Sequence, residues 1–429
     1  MKRIEDVTAL VCDSGLFLPL AVRMAQSCKR LIYWSPDCRG FPSLRQGAIG
    51  DGFDNIERVI EFWNEIDEID LFIFPDIGQS ELQLHLEKMG KAVWGSRSGD
   101  RLELGREYFM RRLGQMGLNV PKFEVLIGLE ALREHLREVE DVYIKVSRWR
   151  GDFETMHWRN WAMDNGWLDM EAVNFGPLQN TIHFLVFEAI DTDIEIGGDS
   201  YCVDGAWPNL MLNGVEGKDK TYFAAVTKQT EMPEQLQEIM DAVSTELEHV
   251  RYRNQISFED RVKDGDHWWN DATQRGGMPS SASQYRLWEN FPEIVLAGAN
   301  GELVEPEPRH MFSIECQITA KCEKDTWVTV ELDPKLEEHC AFSYCGFIDG
   351  CYVFPPDEIH QGELGWFVVT GNDPSELLQE AKDLADLLPD QLNADVESLA
   401  SVIKEIETMD KSGIPFGGDK QLPEPAEVL

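Results

Sequence analysis

Two acids in the chain sit where a divalent cation could be held. Glu259 and Asp271 lie 12 residues apart, within the stretches 255–262 and 267–272, which read as strands joined by Lys263-Asp264-Gly265-Asp266. Asp-Gly is a hairpin turn signal, and a two-stranded ribbon can bring two such side chains to one face at the same depth. Paired carboxylates there suit a hard cation with oxygen ligands. A second constellation, Glu305-Pro-Glu307-Pro-Arg309, shows the same alternation. It ranks below the first, because it follows a helix and a Gly301 turn and its prolines remove ladder donors. Nothing resembles a Ser/His/Asp or Cys/His arrangement, and the nine histidines include no His-x-x-x-His. The nine cysteines are scattered without a Cys-x-x-Cys pair, as expected of reduced thiols. Five of them fall between 316 and 351, near His310 and His339, but without the short paired spacings of a zinc site.

The elements that would position these residues are legible as alternating strands and helices. An apolar strand starting at Val7, a turn at Asp13-Ser14-Gly15 and a helix from Leu20 to Ala25 form a βα unit. Strands at 30–34, 70–74 and 92–94 and a helix at 80–89 continue the alternation, which specifies a mainly parallel, Rossmann-like sheet. The first turn has no Gly-x-Gly-x-x-Gly, so a dinucleotide would lack its close backbone approach. A charged helix at 99–116 ends at Gly117. A helix at 129–138 then leads to Val142-Tyr-Ile-Lys145-Val, a strand with a lysine near its end. An irregular loop follows, then strands at 182–189 and 193–203 and a helix at 233–249. Strands dominate from about 300, before helices at 374–387 and 393–409. The expected divisions are a Rossmann-like domain at 1–98, a second domain at 99–300, a strand-rich closing domain at 301–412 and a flexible tail at 413–429. The fold class is α/β and α+β multidomain.

Composition narrows the functions. The 429 residues, 43% hydrophobic with 13 Trp, can build two to four cores at roughly 100–200 residues per domain. Acidic residues outnumber basic ones 78 to 39, for a formal charge of −39. That field repels nucleic-acid phosphates and anionic lipid heads. With no apolar run of membrane-spanning length and no apolar core of a signal peptide at the start, the expectation is a cytoplasmic protein that binds neither nucleic acid nor membrane.

Several segments, in order, resemble one family. Gly90-Lys-Ala-Val-Trp-Gly95, Leu102-Glu-Leu-Gly-Arg106-Glu-Tyr-Phe-Met110, Gly117-Leu-Asn-Val-Pro121 and Val142-Tyr-Ile-Lys145 are similar to the ATP-grasp ligases, and most similar to the glycinamide ribonucleotide synthetases of purine biosynthesis. Leu185-Val-Phe-Glu188-Ala-Ile, Asp193-Ile-Glu195, Ile256-Ser-Phe-Glu259, Asp271-Ala-Thr-Gln-Arg275 and Trp366-Phe-Val-Val-Thr-Gly371 extend the resemblance over most of the chain. It implies an ATP-grasp nucleotide-binding domain at 99–300, with ATP and Mg²⁺ as cofactors. Lys145 and Arg106 take the positions of the lysines on the phosphates, Arg106 replacing one of them. The strand ending at Glu188 reads adenine through its backbone, and Glu195 binds the ribose. Glu259, Asp271 and Thr273 hold the metal, and Arg275 anchors the transferring phosphoryl group. Each acid and cation also reads as an ordinary strand-end or helix-surface residue. The family pattern Glu-x-Asn-x-Arg stands here as Asp271-Ala-Thr273-Gln-Arg275. The family's glycine-rich loop is Val146-Ser-Arg-Trp-Arg150-Gly-Asp-Phe-Glu154, with the single glycine Gly151. Arg148, Arg150 or the stretch Gly217-Lys218-Asp219-Lys220 are further cations for phosphates.

Phosphoryl transfer to a carboxylate is chiefly positioning and charge neutralisation, so it needs cations on the phosphates and acids holding metal. The leading expectation is therefore an ATP-dependent carbon–nitrogen ligase that joins a small-molecule carboxylate to an amine through an acyl phosphate. The alternatives are a non-catalytic ATP-grasp-like binding or scaffold protein and, from the amino-terminal layout alone, a nicotinamide-dependent oxidoreductase. Asp76-Ile-Gly-Gln-Ser80 is a candidate lip of the substrate pocket. Substrate identity and oligomeric state stay open.

Overall fold

A computed structural model of the chain describes residues 2–36, 46–147, 155–192, 194–217, 220–263, 265–321, 326–356 and 362–417, and the elements below are those of the described residues. The chain forms two compact units. One comprises residues 1–99, 196–258 and 273–429, the other residues 100–195 and 259–272.

The first unit opens with β1 (Thr8–Cys12), α1 (Leu18–Ala25), β2 (Arg30–Trp34), β3 (Ile56–Val59), β4 (Leu71–Ile73), α2 (Ser80–Lys88) and β5 (Ala92–Trp94). All five strands are parallel in the order β3-β2-β1-β4-β5. The central strands bury both faces, which explains their near-continuous apolar runs. The order reverses direction between β1 and β4, so the carboxyl ends of these two strands border the crevice where open α/β sheets bind ligands.

The second unit begins with α3 (Arg101–Leu104) and α4 (Arg106–Gln115), so the single helix expected at 99–116 is broken. Gly105 is the break: it ends α3, and its non-helical backbone caps α4. Then follow β6 (Phe123–Ile127), α5 (Leu129–His135), β7 (Val142–Val146), β8 (Thr155–Trp158), α6 (Trp161–Phe175) and β9 (His183–Glu188). The strands form a sheet in the order β6-β9-β7-β8. One face packs Ile144, Val146, Phe184 and Val186 against Leu132, Leu136 and Leu168 of the helices. The stretch expected to be an irregular loop thus holds a 15-residue helix, capped by the Asn160 side chain on the Met163 amide at 3.1 Å.

The chain continues through β10 (Ile194–Val203), β11 (Leu210–Gly217), β12 (Thr221–Lys228), α7 (Glu234–His249), β13 (Arg253–Lys263) and β14 (Asp266–Thr273). After it come α8 (Ser281–Leu287), α9 (Phe291–Ala299), β15 (Phe312–Ala320), β16 (Val328–Val330), α10 (Pro334–Glu337), β17 (Cys340–Phe342), β18 (Gly346–Ile348), β19 (Cys351–Phe354), β20 (Glu363–Gly371), α11 (Pro374–Ala385), β21 (Leu392–Ala394) and α12 (Leu399–Lys411). A long sheet runs in the order β14-β13-β10-β11-β12-β15-β20-β17, with β21 on β15. Among the described residues, no helix is long and apolar enough to cross a membrane.

In the first unit α9 lies on β5 through Gly298, where an added Cβ would overlap the buried ring of Trp94. Alanine normally stabilises a helix interior relative to glycine by about 1 kcal/mol. Here the close approach reverses the sign, and Gly298→Ala is expected to destabilise the protein by about 1–3 kcal/mol. Urea unfolding checks this; a midpoint equal to or above wild type contradicts the packing.

Candidate functional site

The geometry of β7 decides where Lys145 points. Side chains alternate along a strand, and Ile144 and Val146 are committed to the core under α5 and α6. Lys145 therefore emerges on the opposite face, as does its cross-strand neighbour Leu185 on β9. Arg106 occupies the first position of α4, one turn before Phe109.

The ribbon of β13 and β14 supplies the acids. Within the second unit, Trp269 of β14 packs edge-on against Phe109, with ring centroids 5.1 Å apart. The Trp269 amide donates to the Asn119 carbonyl at 2.9 Å, and the Asn119 side chain donates to the His267 carbonyl at 2.8 Å. These contacts fix the register of strand against helix. Asp271 is two residues beyond Trp269 on the same strand face, and Arg106 is three residues before Phe109 on the same helix face, so the second pair follows from the first. Asp271 Oδ2 accepts from Lys145 Nζ at 2.8 Å and from Arg106 Nη1 at 3.4 Å. The two cations are 8% and 4% exposed, against 27% for Asp271. Burial pulls the Lys145 ammonium below its ordinary value and Arg106 adds to the fall, while Asp271 and, more weakly, Glu259 oppose it. Lys145, Arg106, Asp271 and Glu259 thus form one electrostatic group.

The other expected residues are placed as follows. Glu195 pairs with Arg261 of β13, Nη2 to Oε2 at 2.5 Å. Arg261 is two residues from Glu259 on the ribbon and was not anticipated, although the alternation Glu259-Asp-Arg261 is the pattern that marks a shared strand face. Glu188 ends β9, where its Oε1 accepts from the Lys122 amide at 3.1 Å. Thr273 is the last residue of β14 and Arg275 follows it, both in the first unit. Arg275 lies 3.5 Å from Asp76 Oδ1, just beyond the carboxyl end of β4. Glu305, of the second-ranked constellation, instead accepts from the Asn209 amide at 2.7 Å, and Arg309 pairs with Glu289 at 3.3 Å. Residues 148–154, Asp193, Lys218 and Asp219 lie outside the described residues.

At the carboxyl end of β1, next to the Asp76–Arg275 pair in the order of the parallel sheet, Asp13 was likewise missed. It is 3% exposed, and its Oδ2 accepts from the Gly15 amide at 2.9 Å, the Phe17 amide at 3.1 Å and the Tyr33 hydroxyl at 2.7 Å. Burial pushes its carboxyl up to about 6, with Asp76 contributing in the same direction. Gly15 turns the chain at φ +120°, against the ring of Tyr344. Only glycine fits such a turn without strain. The sequence signal was there in Asp13-Ser14-Gly15, an Asx-type turn directly after a buried strand.

For a metal, the donors on the ribbon are hard oxygens. Among the described residues, no group of three or more His, Cys, Asp and Glu is assembled. Two carboxylates suit magnesium, which keeps waters and is held by one or two acids together with substrate phosphates. The donor set therefore fits that ion.

No family model matches the sequence, and no curated protein matches it. Solved structures do. The chain is similar to phosphoribosylamine–glycine ligase from Thermotoga maritima, with a TM-score of 0.66 and 16% identity over 91% of this chain and 98% of that one. It is similar to N5-carboxyaminoimidazole ribonucleotide synthetase from Thermus thermophilus, at 0.58 and 15% over 89% and 99%. It is also similar to the biotin carboxylase domain of 2-oxoglutarate carboxylase from Hydrogenobacter thermophilus, solved with MgADP and bicarbonate, at 0.64 and 12% over 97% of each chain. At these identities the likeness is one of fold.

Two expectations follow from the site. Asp271→Asn leaves two buried cations facing each other and is expected to cost about 1–3 kcal/mol. The deficit should shrink as pH rises toward the ordinary lysine value of 10.5, because Lys145 can then shed its proton. Thermal unfolding across that range checks it, and a pH-independent deficit contradicts the pairing. For Asp13, the folded value lies above the unfolded one. Wild type therefore loses stability as pH rises from 3.8 through about 6. Asp13→Asn removes this loss, so its stability relative to wild type should improve by about 2–3 kcal/mol over that window. A flat difference in acid-to-neutral denaturant titrations refutes the assignment.

Proposed function

We propose that this chain, which has the ATP-grasp fold, is an ATP-dependent ligase that joins a carboxylate to an amine. The observation that carries the reading is the meeting of Lys145 and Arg106 on Asp271, with Glu259 in the same field: buried cations and ribbon acids face each other within one unit. Such an arrangement holds a polyphosphate on its cations and a metal on its acids, as phosphoryl transfer requires. The ligases it resembles in fold support the same reaction class.

In this reading Lys145 and Arg106 bind and neutralise the phosphates, the guanidinium by its fork and the ammonium as a point charge. The end of β9 at Glu188 presents backbone groups to the base. The Glu188 carboxylate accepts from the Lys122 amide and the Glu188 amide donates to the Lys122 carbonyl, so recognition falls to the main chain leaving the strand after Glu188. Glu195, oriented by Arg261, accepts from the ribose hydroxyls. Glu259 and Asp271, both in the second unit, are the residues that would hold magnesium, whose charge would offset that developing on the transferring phosphoryl group. The substrate carboxylate attacks the γ-phosphorus, ADP departs, and the amine displaces phosphate from the acyl phosphate, giving the amide.

The test is thermal unfolding with nucleotide, followed by a screen of acid and amine pairs for ADP release. MgATP at about 100 times Kd should stabilise wild type by about 2.7 kcal/mol. Lys145→Ala should lose that shift, and Glu259→Ala combined with Asp271→Ala should lose its dependence on magnesium. MgATP binding by both variants as in wild type defeats the site. Stabilisation by MgATP without ADP release in any pair points to a binding module.

A further inference from the structure

A cavity of about 430 Å³ lies wholly in the first unit and shares no residue with the groups assigned above to nucleotide, metal or phosphoryl transfer. One wall is a single face of α1, with Pro19, Val22, Arg23 and Gln26 at helical spacing, and another is α8, with Ala282, Tyr285 and Arg286. Trp288, Phe342 and Tyr352 contribute flat aromatic surface.

The charge in this cavity is distributed unevenly. Glu289 is taken by Arg309 at 3.3 Å, and Glu337 accepts from the Tyr352 hydroxyl at 3.2 Å. Arg23 donates to the Tyr285 and Glu289 carbonyls at 3.2 and 2.8 Å, and Arg286 to the Cys340 carbonyl at 3.1 Å. Among the described residues, neither guanidinium pairs with a carboxylate. Glu293, and Glu338 on the cavity rim, act on them without a direct ion pair, and burial holds both below their ordinary value. The buried indole N–H of Trp288 has no acceptor among the described residues. Two half-buried guanidiniums without a carboxylate partner leave positive charge on the cavity wall that an anion can neutralise.

We propose that this cavity binds a small molecule with a flat apolar body and one oxyanion, a carboxylate or a phosphate monoester, which Arg23 and Arg286 grip while the ring system lies among Tyr285, Trp288 and Phe342. Its volume falls in the range of small-molecule sites, and the guanidinium fork matches both oxyanions.

Calorimetric titration of the full chain without nucleotide tests this, so its failure leaves the ATP reading untouched. The probes are 1-naphthoate and 1-naphthyl phosphate, with 1-naphthalenemethanol and inorganic phosphate as controls. At least one aryl anion should bind with Kd of about 0.1 mM or tighter, and both controls should bind at least about tenfold more weakly. Arg23→Gln and Arg286→Gln should each weaken the aryl anion by about tenfold or more. Val22→Trp, which fills the space and keeps both guanidiniums, should abolish binding while retaining a wild-type melting temperature. Binding of the alcohol or of inorganic phosphate as tight as the aryl anion overturns the proposal, as does wild-type affinity in Val22→Trp. Absence of binding by both anions overturns it too. So does a dimer in solution that Val22→Trp converts to a monomer, since the cavity would then be an interface between copies.

Discussion

Two cations from different elements close on one oxygen of Asp271. Lys145 comes from a strand and Arg106 from the first turn of a helix, and both are almost fully buried. Like charges so near each other, with little water, persist only with an anion between them. In this structure Asp271 is that anion. In the proposed function a polyphosphate takes its place and the acid is released toward metal. The rest of the second unit maintains this balance. The core beneath β7 aims Lys145, Phe109 against Trp269 sets the register, and the left-handed backbone of Gly265, at φ +86°, lets the ribbon double back.

Much of this was legible because it is local. The strands of the parallel sheet are short apolar runs bounded by turns, and those at 30–34, 92–94 and 142–146 coincide with the observed elements. The ribbon was marked by its turn residues. Glu259 and Asp271 were marked by their places on the two strands beside that turn and by the family pattern they resemble.

Where the pattern was not local, the reading fell short. α6 has tryptophan, methionine and leucine around its whole circumference, so no apolar stripe announced it, and only the Asn160 cap could have done so. β12, Thr221–Lys228, buries both faces and shows no alternation, so it and its partner β11 passed unnoticed. β3 is a half-exposed edge of four residues with a glutamate and an arginine inside it. The partners of the site residues were beyond reach for a different reason: Lys145 and Asp271 are 126 residues apart, and their meeting depends on how a sheet, a helix and a ribbon pack. Asp13 and Arg261 carry signals of strand-end and strand-face position, but those signals say nothing of burial or charge partners.

The central claim is that the Lys145 ammonium trades Asp271 for phosphate, and the ammonium itself can report it. Carbon-13 NMR of the Lys145 ε-methylene, followed against pH with and without MgADP, measures its ionisation directly. The free protein should show Lys145 titrating below 10.5, and saturating MgADP should move that titration upward, since the complex adds its net negative charge to that of Asp271. A titration that MgADP leaves unmoved, in a protein shown to bind it, would mean that the phosphates lie elsewhere.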